Sequence, residues 1–72
     1  MTFPDRMRLL RSAAHLTQDE LADIMGYSPN AIQNWERGKS VPNIYAVSRL
    51  ADFFNVSMDY ITGRTNAKRP PD

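Results

Sequence analysis

The chain has 72 residues, enough for one small domain, and no cysteine, which excludes a disulfide framework and a thiolate metal site. Nine basic and eight acidic residues leave a net charge of +1, so any binding to nucleic acid must depend on where the charges lie. The apolar runs are too short to span a membrane, and the N-terminus lacks a signal-peptide pattern. We therefore expect a cytoplasmic protein.

Apolar residues at helical spacing predict five helices. In the first helix Met7, Leu10 and Ala14 share one face, and arginines such as Arg6 are expected mostly on the other faces. The predicted helices cover 5–14, 18–25, 29–36, 44–54 and 58–62. The buried positions expected in the next three helices are Leu21, Ala22 and Met25, then Ile32 and Trp35, then Ile44, Val47, Leu50, Ala51 and Phe54.

The whole pattern predicts a compact all-α domain. No strand pattern or repeat interrupts the five short helices, and their connections are short. We place the domain at 1–63 and a flexible polar tail at 64–72, where two prolines and three basic residues stand almost without apolar neighbours.

The spacing around Gly26 predicts a helix-turn-helix. Thr17 and Glu20 have the spacing of a capping box at a helix start, and Ser28 followed by Pro29 predicts another start. Two helices joined so tightly must cross steeply, and Gly26 can supply the left-handed backbone that the joint needs. The second helix of such a unit can enter the DNA major groove.

The sequence resembles the phage-repressor family of helix-turn-helix regulators, also called the Cro/cI or Xre family. The resemblance implies a five-helix, lambda-repressor-like domain that binds operator DNA, usually as a dimer, to control transcription. It covers 6–63 and rests on Leu16-Thr17-Gln18-Asp19-Glu20-Leu21-Ala22, on Gly26-Tyr27-Ser28, on Ile32-Gln33-Asn34-Trp35-Glu36-Arg37-Gly38-Lys39, and on Asn55-Val56-Ser57.

Base readout is expected from the polar face of the third helix, at Asn30, Asn34, Gln33 and Pro29. Amide side chains carry a donor and an acceptor side by side, which matches the N6/N7 edge of adenine. The resemblance gives base contacts to Pro29, Asn30 and Asn34 and places Gln33 near the groove wall. Pro29 departs from the polar residue common there, although its ring could contact a thymine methyl. The alternative is a merely solvated helix face.

Phosphate contacts are expected from residues around the ends of the second, third and fourth helices. The resemblance places Gln18 on a phosphate, and it pairs Arg11 with Glu36 in a bridge that we expect to be partly buried. Capping or solvation would explain several of these residues equally well. The full set is Thr17, Gln18, Arg11, Arg37, Lys39, Ser40 and Asn43.

The dimer interface is expected at Phe53, Tyr60 and Ile61. The apolar residues near the C-terminus outnumber those needed to complete the core, and these three are the surplus. An exposed apolar patch there would suit a symmetric homodimer. The alternative is that all three fold into the core of a small domain.

Other functions have less support. The single histidine, His15, has no nearby carboxylate in sequence, and no phosphate loop or metal-spaced cluster is present, so we expect no enzyme, no cofactor and no metal. A protein-interaction module with an antirepressor or toxin as partner stays open. So does a longer repressor of which 64–72 begins the linker. The preferred prediction is a sequence-specific repressor that binds a palindromic double-stranded operator as a homodimer in the cytoplasm, at the nucleoid.

Overall fold

A computed structural model of the chain describes residues 1–68, and within them it has five α-helices and no strand. All five predicted helices are present, and their bounds differ from the prediction by at most two residues. The helices are α1 (Phe3–Ala13), α2 (Gln18–Met25), α3 (Pro29–Arg37), α4 (Ile44–Phe54) and α5 (Met58–Ile61).

Helix α1 begins two residues earlier than predicted, because Thr2 serves as its N-cap. The Thr2 hydroxyl accepts a hydrogen bond from the Asp5 amide at 3.4 Å, and Pro4 fits the first turn, where no intrahelical N–H is needed. The helix ends where His15 takes a left-handed conformation with φ of 60°. The Leu16 amide then closes the end by donating to the Arg11 carbonyl at 3.2 Å.

Every helix contributes one large, fully buried apolar side chain to a single core. Helix α1 packs against α3 and α5, α2 packs against α3, and α4 packs against α5. The buried faces predicted for α2 and α3 are confirmed. The five central side chains are Met7, Leu21, Ile32, Leu50 and Ile61.

Three expectations about burial are wrong. Ala14, placed on the apolar face of α1 with Met7 and Leu10, is exposed because the helix ends at Ala13. Arg6 lies inside the protein with only 3% of its surface exposed, because its guanidinium stacks 3.9 Å from the centre of the Tyr60 ring. Ile44 is 70% exposed, because it occupies the first position of α4 while Ala46 and Val47 form the buried face of that turn.

The predicted dimer patch also needs correction. Tyr60 and Ile61 are 6% and 0% exposed, since the core of this small domain takes both side chains. Phe53 is 41% exposed and stacks edge-on against Phe54, with 5.0 Å between ring centres. Of the three predicted interface residues, only Phe53 is open to a second molecule.

The first part of the predicted tail hydrogen-bonds to the helices. The Ser57 amide donates to the Lys68 carbonyl at 2.7 Å, and an Arg6 N–H donates to the Asn66 side chain at 3.2 Å. The rest of the predicted tail, 69–72, lies outside the described residues, so the domain boundary at 63 stays a prediction. Within 1–68, none of the helices has the length and apolar character needed to cross a bilayer.

Candidate DNA interface

The joint between α2 and α3 has the geometry of a helix-turn-helix. Gly26 ends α2 in the left-handed conformation, with φ of 77°, and the Tyr27 amide donates to the Ala22 carbonyl at 2.9 Å. The Ser28 hydroxyl then caps α3 by accepting from the Ala31 amide at 3.1 Å. The Thr17 hydroxyl caps α2 in the same way, by accepting from the Glu20 amide, so both predicted caps and the predicted role of Gly26 are confirmed.

Aromatic packing holds this joint against the body of the domain. The Tyr27 ring meets the buried Trp35 ring edge-on, with 5.1 Å between their centres, and the Arg49 guanidinium lies 5.4 Å from the Tyr27 ring centre. Because Ile32 is also fully buried, α3 has one face fixed in the core and presents the opposite face outward.

The outward face of α3 carries unpaired amide groups. Asn30 is exposed, and Gln33 and Asn34 are half-buried. None of the three side chains hydrogen-bonds to another residue within 1–68, so their donors and acceptors are free for a ligand. Pro29 is exposed at the start of the same helix. The structure thus brings the four residues predicted for base readout onto one short helix.

The far end of α3 is fixed by a buried carboxylate. Glu36 is 2% exposed and accepts two hydrogen bonds from Arg11, at 2.6 and 2.9 Å. The Gln18 side-chain amide donates to the same carboxylate at 3.1 Å. The hydrogen bond to Glu36 raises the pKa of the Arg11 guanidinium. The predicted bridge is confirmed, and Glu36 connects α1, the start of α2 and the end of α3.

Arg11 is largely committed to these internal contacts. A third donor bonds the Leu16 carbonyl at 2.8 Å, which leaves two of the five guanidinium N–H groups for a phosphate. Its side chain is 17% exposed. A phosphate contact by Arg11, as predicted, would therefore use the two remaining N–H groups at the free edge of the guanidinium.

Sequence reasoning missed Arg8, which also contacts the end of α3. An Arg8 N–H donates to the Glu36 main-chain carbonyl at 2.5 Å, and a second N–H pairs with Asp5. The last carbonyls of a helix have no partner within the helix, so Arg8 satisfies one that would otherwise be free. The spacing of Arg8 and Arg11, one turn apart on α1, is the signal that both could reach α3.

The side chains of Thr17, Gln18 and Asn43 are already used inside the protein. Thr17 accepts from the Glu20 amide and Asn43 from the Ala46 amide, at 3.0 and 2.9 Å, while Gln18 bonds Glu36. Thr17 and Asn43 only accept in these bonds, and Gln18 uses one of its two amide N–H groups, so each side chain keeps a donor for a phosphate. The main-chain N–H groups that have no partner within the first turns of α2 and α4 can donate as well. The predicted phosphate contacts at these sites stay predictions.

Basic and polar residues follow α3 in an exposed stretch. Gly38 ends α3 in the left-handed conformation, and the Lys39 amide returns to the Asn34 carbonyl at 2.9 Å. The side chains of Arg37, Lys39 and Ser40 are exposed next to the end of α3. All three side chains can therefore reach the phosphates of a DNA strand that runs past this end of α3.

Residues 7–61 of the chain match the Helix-turn-helix family. The transcriptional activator BcrR of Enterococcus faecalis is 37% identical over 59 residues, which are 82% of this chain and 29% of BcrR. The CTXphi transcriptional repressor RstR of Vibrio cholerae is 30% identical over 64 residues, 89% of this chain and 57% of RstR. The chain thus spans less than two thirds of the length of these relatives.

Two solved structures have the same fold. The P22 c2 repressor in complex with a synthetic operator has a TM-score of 0.83 and 28% identity, covering 90% of this chain and 98% of that one. The solution structure of the P22 c2 DNA-binding domain has a TM-score of 0.79 and 30% identity, covering 88% and 84%. The predicted five-helix repressor-like fold is confirmed.

Proposed function

Since the chain belongs to the Helix-turn-helix family, we propose that it binds a palindromic operator in double-stranded DNA as a homodimer and represses transcription. The membership confirms the family predicted from the sequence. The relatives named above are transcriptional regulators, in agreement with the expectation that the domain is not an enzyme. One of the structural neighbours is a repressor bound to operator DNA, which supports DNA as the partner of this chain.

The observation that carries the proposal is the free polar face of α3. The side-chain amides of Asn30 and Asn34 have no hydrogen-bond partner among residues 1–68, while Ile32 and Trp35 hold the opposite face of the helix in the core. A helix fixed on one side and polar on the other can lie in the major groove without rearrangement, and its amides can bond adenine bidentately. We assign base readout to Asn30 and Asn34, with Gln33 and Pro29 beside them.

The phosphate contacts of the proposal lie on both sides of this helix. Lys39, Arg37 and the free edge of Arg11 supply positive charge, and the first turns of α2 and α4 supply main-chain N–H groups. Two or three charged contacts per subunit would each add roughly 0.9 to the slope of log affinity against log salt. Such affinity is modest, so two subunits on half-sites about 34 Å apart would be needed for a tight complex.

Selection of bound duplexes from a random DNA pool tests the proposal directly. We expect an enriched palindrome whose two half-sites are about one helical turn apart, with adenines at the positions read by the amides. The enriched duplex should shift in a mobility assay and compete better than a scrambled duplex. Failure to enrich any sequence, with no shift even at low salt, would overturn the proposal and favour a protein-interaction module.

A further inference from the structure

A groove between α2 and α4 lies outside the proposed DNA interface. It has a volume of about 450 Å³ and is lined by Ile24, Met25, Arg49, Asp52 and Phe53. Ile24 is 52% exposed and Phe53 is 41% exposed, so two large apolar side chains at the groove are in contact with solvent. The α3 amides proposed to read DNA do not line this groove.

The charges beside the groove are suited to a second copy of the same surface. Arg49, Asp52 and Phe53 have the i, i+3, i+4 spacing that puts side chains on one face of a helix. Arg49 and Asp52 are exposed, and neither forms an ion pair with another residue within 1–68. If two copies of α4 face each other antiparallel across a two-fold axis, each cation opposes an anion.

We propose that a second copy of this chain binds this groove, with Arg49 of each protomer opposite Asp52 of the other and Ile24 and Phe53 packed between them. The apolar centre supplies the attraction, and the two symmetric charge pairs at its rim fix the orientation. The inference rests on the homodimer of the proposed function. Of the interface residues predicted from the sequence, this interface keeps Phe53. Ile24 takes the place of Tyr60 and Ile61, which are buried in the core.

The exposed apolar residues between α3 and the first turn of α4 are a poorer surface for self-association. Val41, Ile44 and Tyr45 are 84%, 70% and 78% exposed. They lie within five residues of Ser40 in sequence, next to the residues proposed to contact DNA phosphates. These three side chains carry no charge that could pair with its own symmetry mate. They provide a matched control for the groove.

Exchange of the two charges tests the proposal. Arg49→Glu and Asp52→Arg each put like charges together twice in a symmetric dimer, so each variant alone should associate at least about tenfold more weakly than wild type. In a mixture, the new carboxylate at position 49 of one variant meets the new guanidinium at position 52 of the other, and the unchanged Arg49 meets the unchanged Asp52. Sedimentation of the equimolar mixture without DNA should therefore recover the dimer. Loss of association in both variants without recovery on mixing would overturn the pairing.

A charge in the centre of the groove gives a second measurement. Ile24→Glu should abolish the dimer, while Val41→Glu, at a more exposed site outside the groove, should leave it unchanged. The reverse result, or a wild-type chain that stays monomeric up to about 1 mM, would overturn the inference. DNA binding at low salt separates the two proposals. Ile24→Glu is expected to bind a duplex with one half-site although it no longer dimerises, whereas failure of the wild type to bind even the full palindrome would overturn the proposed function instead.

Discussion

The carboxylate of Glu36 at the end of α3 is held by two hydrogen bonds from Arg11 of α1, at 2.6 and 2.9 Å. Glu36 is 2% exposed, so its charge is stable there only while a cation is paired with it. Through this pair, the position of α3 depends on α1. Arg11 can thus affect the proposed readout of bases by α3 without contacting a base itself.

We expect Arg11→Ala to destabilise the domain by about 3 kcal/mol, because it leaves a buried carboxylate without its cation. The affinity for DNA should fall as well, since the end of α3 is no longer held. Denaturant unfolding and mobility shifts measure the two effects. A matched variant with Arg11→Met and Glu36→Leu removes both charges and should regain much of the stability. No change in either stability or affinity on Arg11→Ala would contradict the role of the bridge.

Asn34→Ala should relax base preference at one position of the half-site, because one amide that can bond a base is removed. The expected cost is about 1–3 kcal/mol on the preferred sequence, with little loss on a sequence already changed at that position. A panel of single-base operator variants measures this. The Asn34 side chain makes no hydrogen bond within 1–68, so stability should change little and the loss should be confined to binding.

Lys39→Ala should weaken binding to every sequence by a similar factor, because a phosphate contact carries no sequence information. The slope of log affinity against log salt should become shallower by roughly 0.9. Titrations at several salt concentrations, on the preferred and a scrambled duplex, separate this result from that of Asn34→Ala. Equal patterns for the two variants would refute the division between base and phosphate contacts.

Gly63→Ala should destabilise the domain more than Gly26→Ala. Both glycines have positive φ, 84° and 77°, so both variants incur backbone strain of about 1 kcal/mol. An added Cβ at Gly26 meets no atom within 4 Å, whereas one at Gly63 would lie 1.9 Å from the Met1 carbonyl oxygen. Thermal unfolding compares the two variants, and deletion of Met1 should relieve part of the effect at Gly63. Equal destabilisation would show that the contact with Met1 does not matter.

The capping box of α2 should make stability depend on pH in the acidic range. The Glu20 carboxylate accepts from the Thr17 amide at 2.9 Å, and this hydrogen bond lowers the pKa of Glu20 in the folded state. A pKa that is lower when folded contributes stability above the unfolded pKa, and that contribution is lost as pH falls through the folded pKa. Glu20→Gln keeps an acceptor for Thr17 and cannot titrate. Its unfolding temperature should therefore fall less than that of wild type from pH 7 to pH 3, and parallel curves would exclude the effect.

Local signals in the sequence determined the helices and the joint between them. Thr17, Ser28 and Gly26 act on backbone groups within a few residues of themselves, so their roles as caps and turn can be predicted without knowing the fold. The same holds for the polar face of α3, since the period of a helix separates Asn30 and Asn34 from Ile32 and Trp35.

Tertiary structure alone decided the features that depend on residues distant in the chain. Helical spacing left Arg6 on a solvent face of α1, but the ring of Tyr60 covers it from α5. Tyr60 and Ile61 look like surplus apolar residues until five short helices close on one core that needs them. The Arg8 contact with the Glu36 carbonyl likewise joins residues 28 positions apart. Spacing along one helix predicts which residues share a face, whereas the packing of the helices decides which faces are covered.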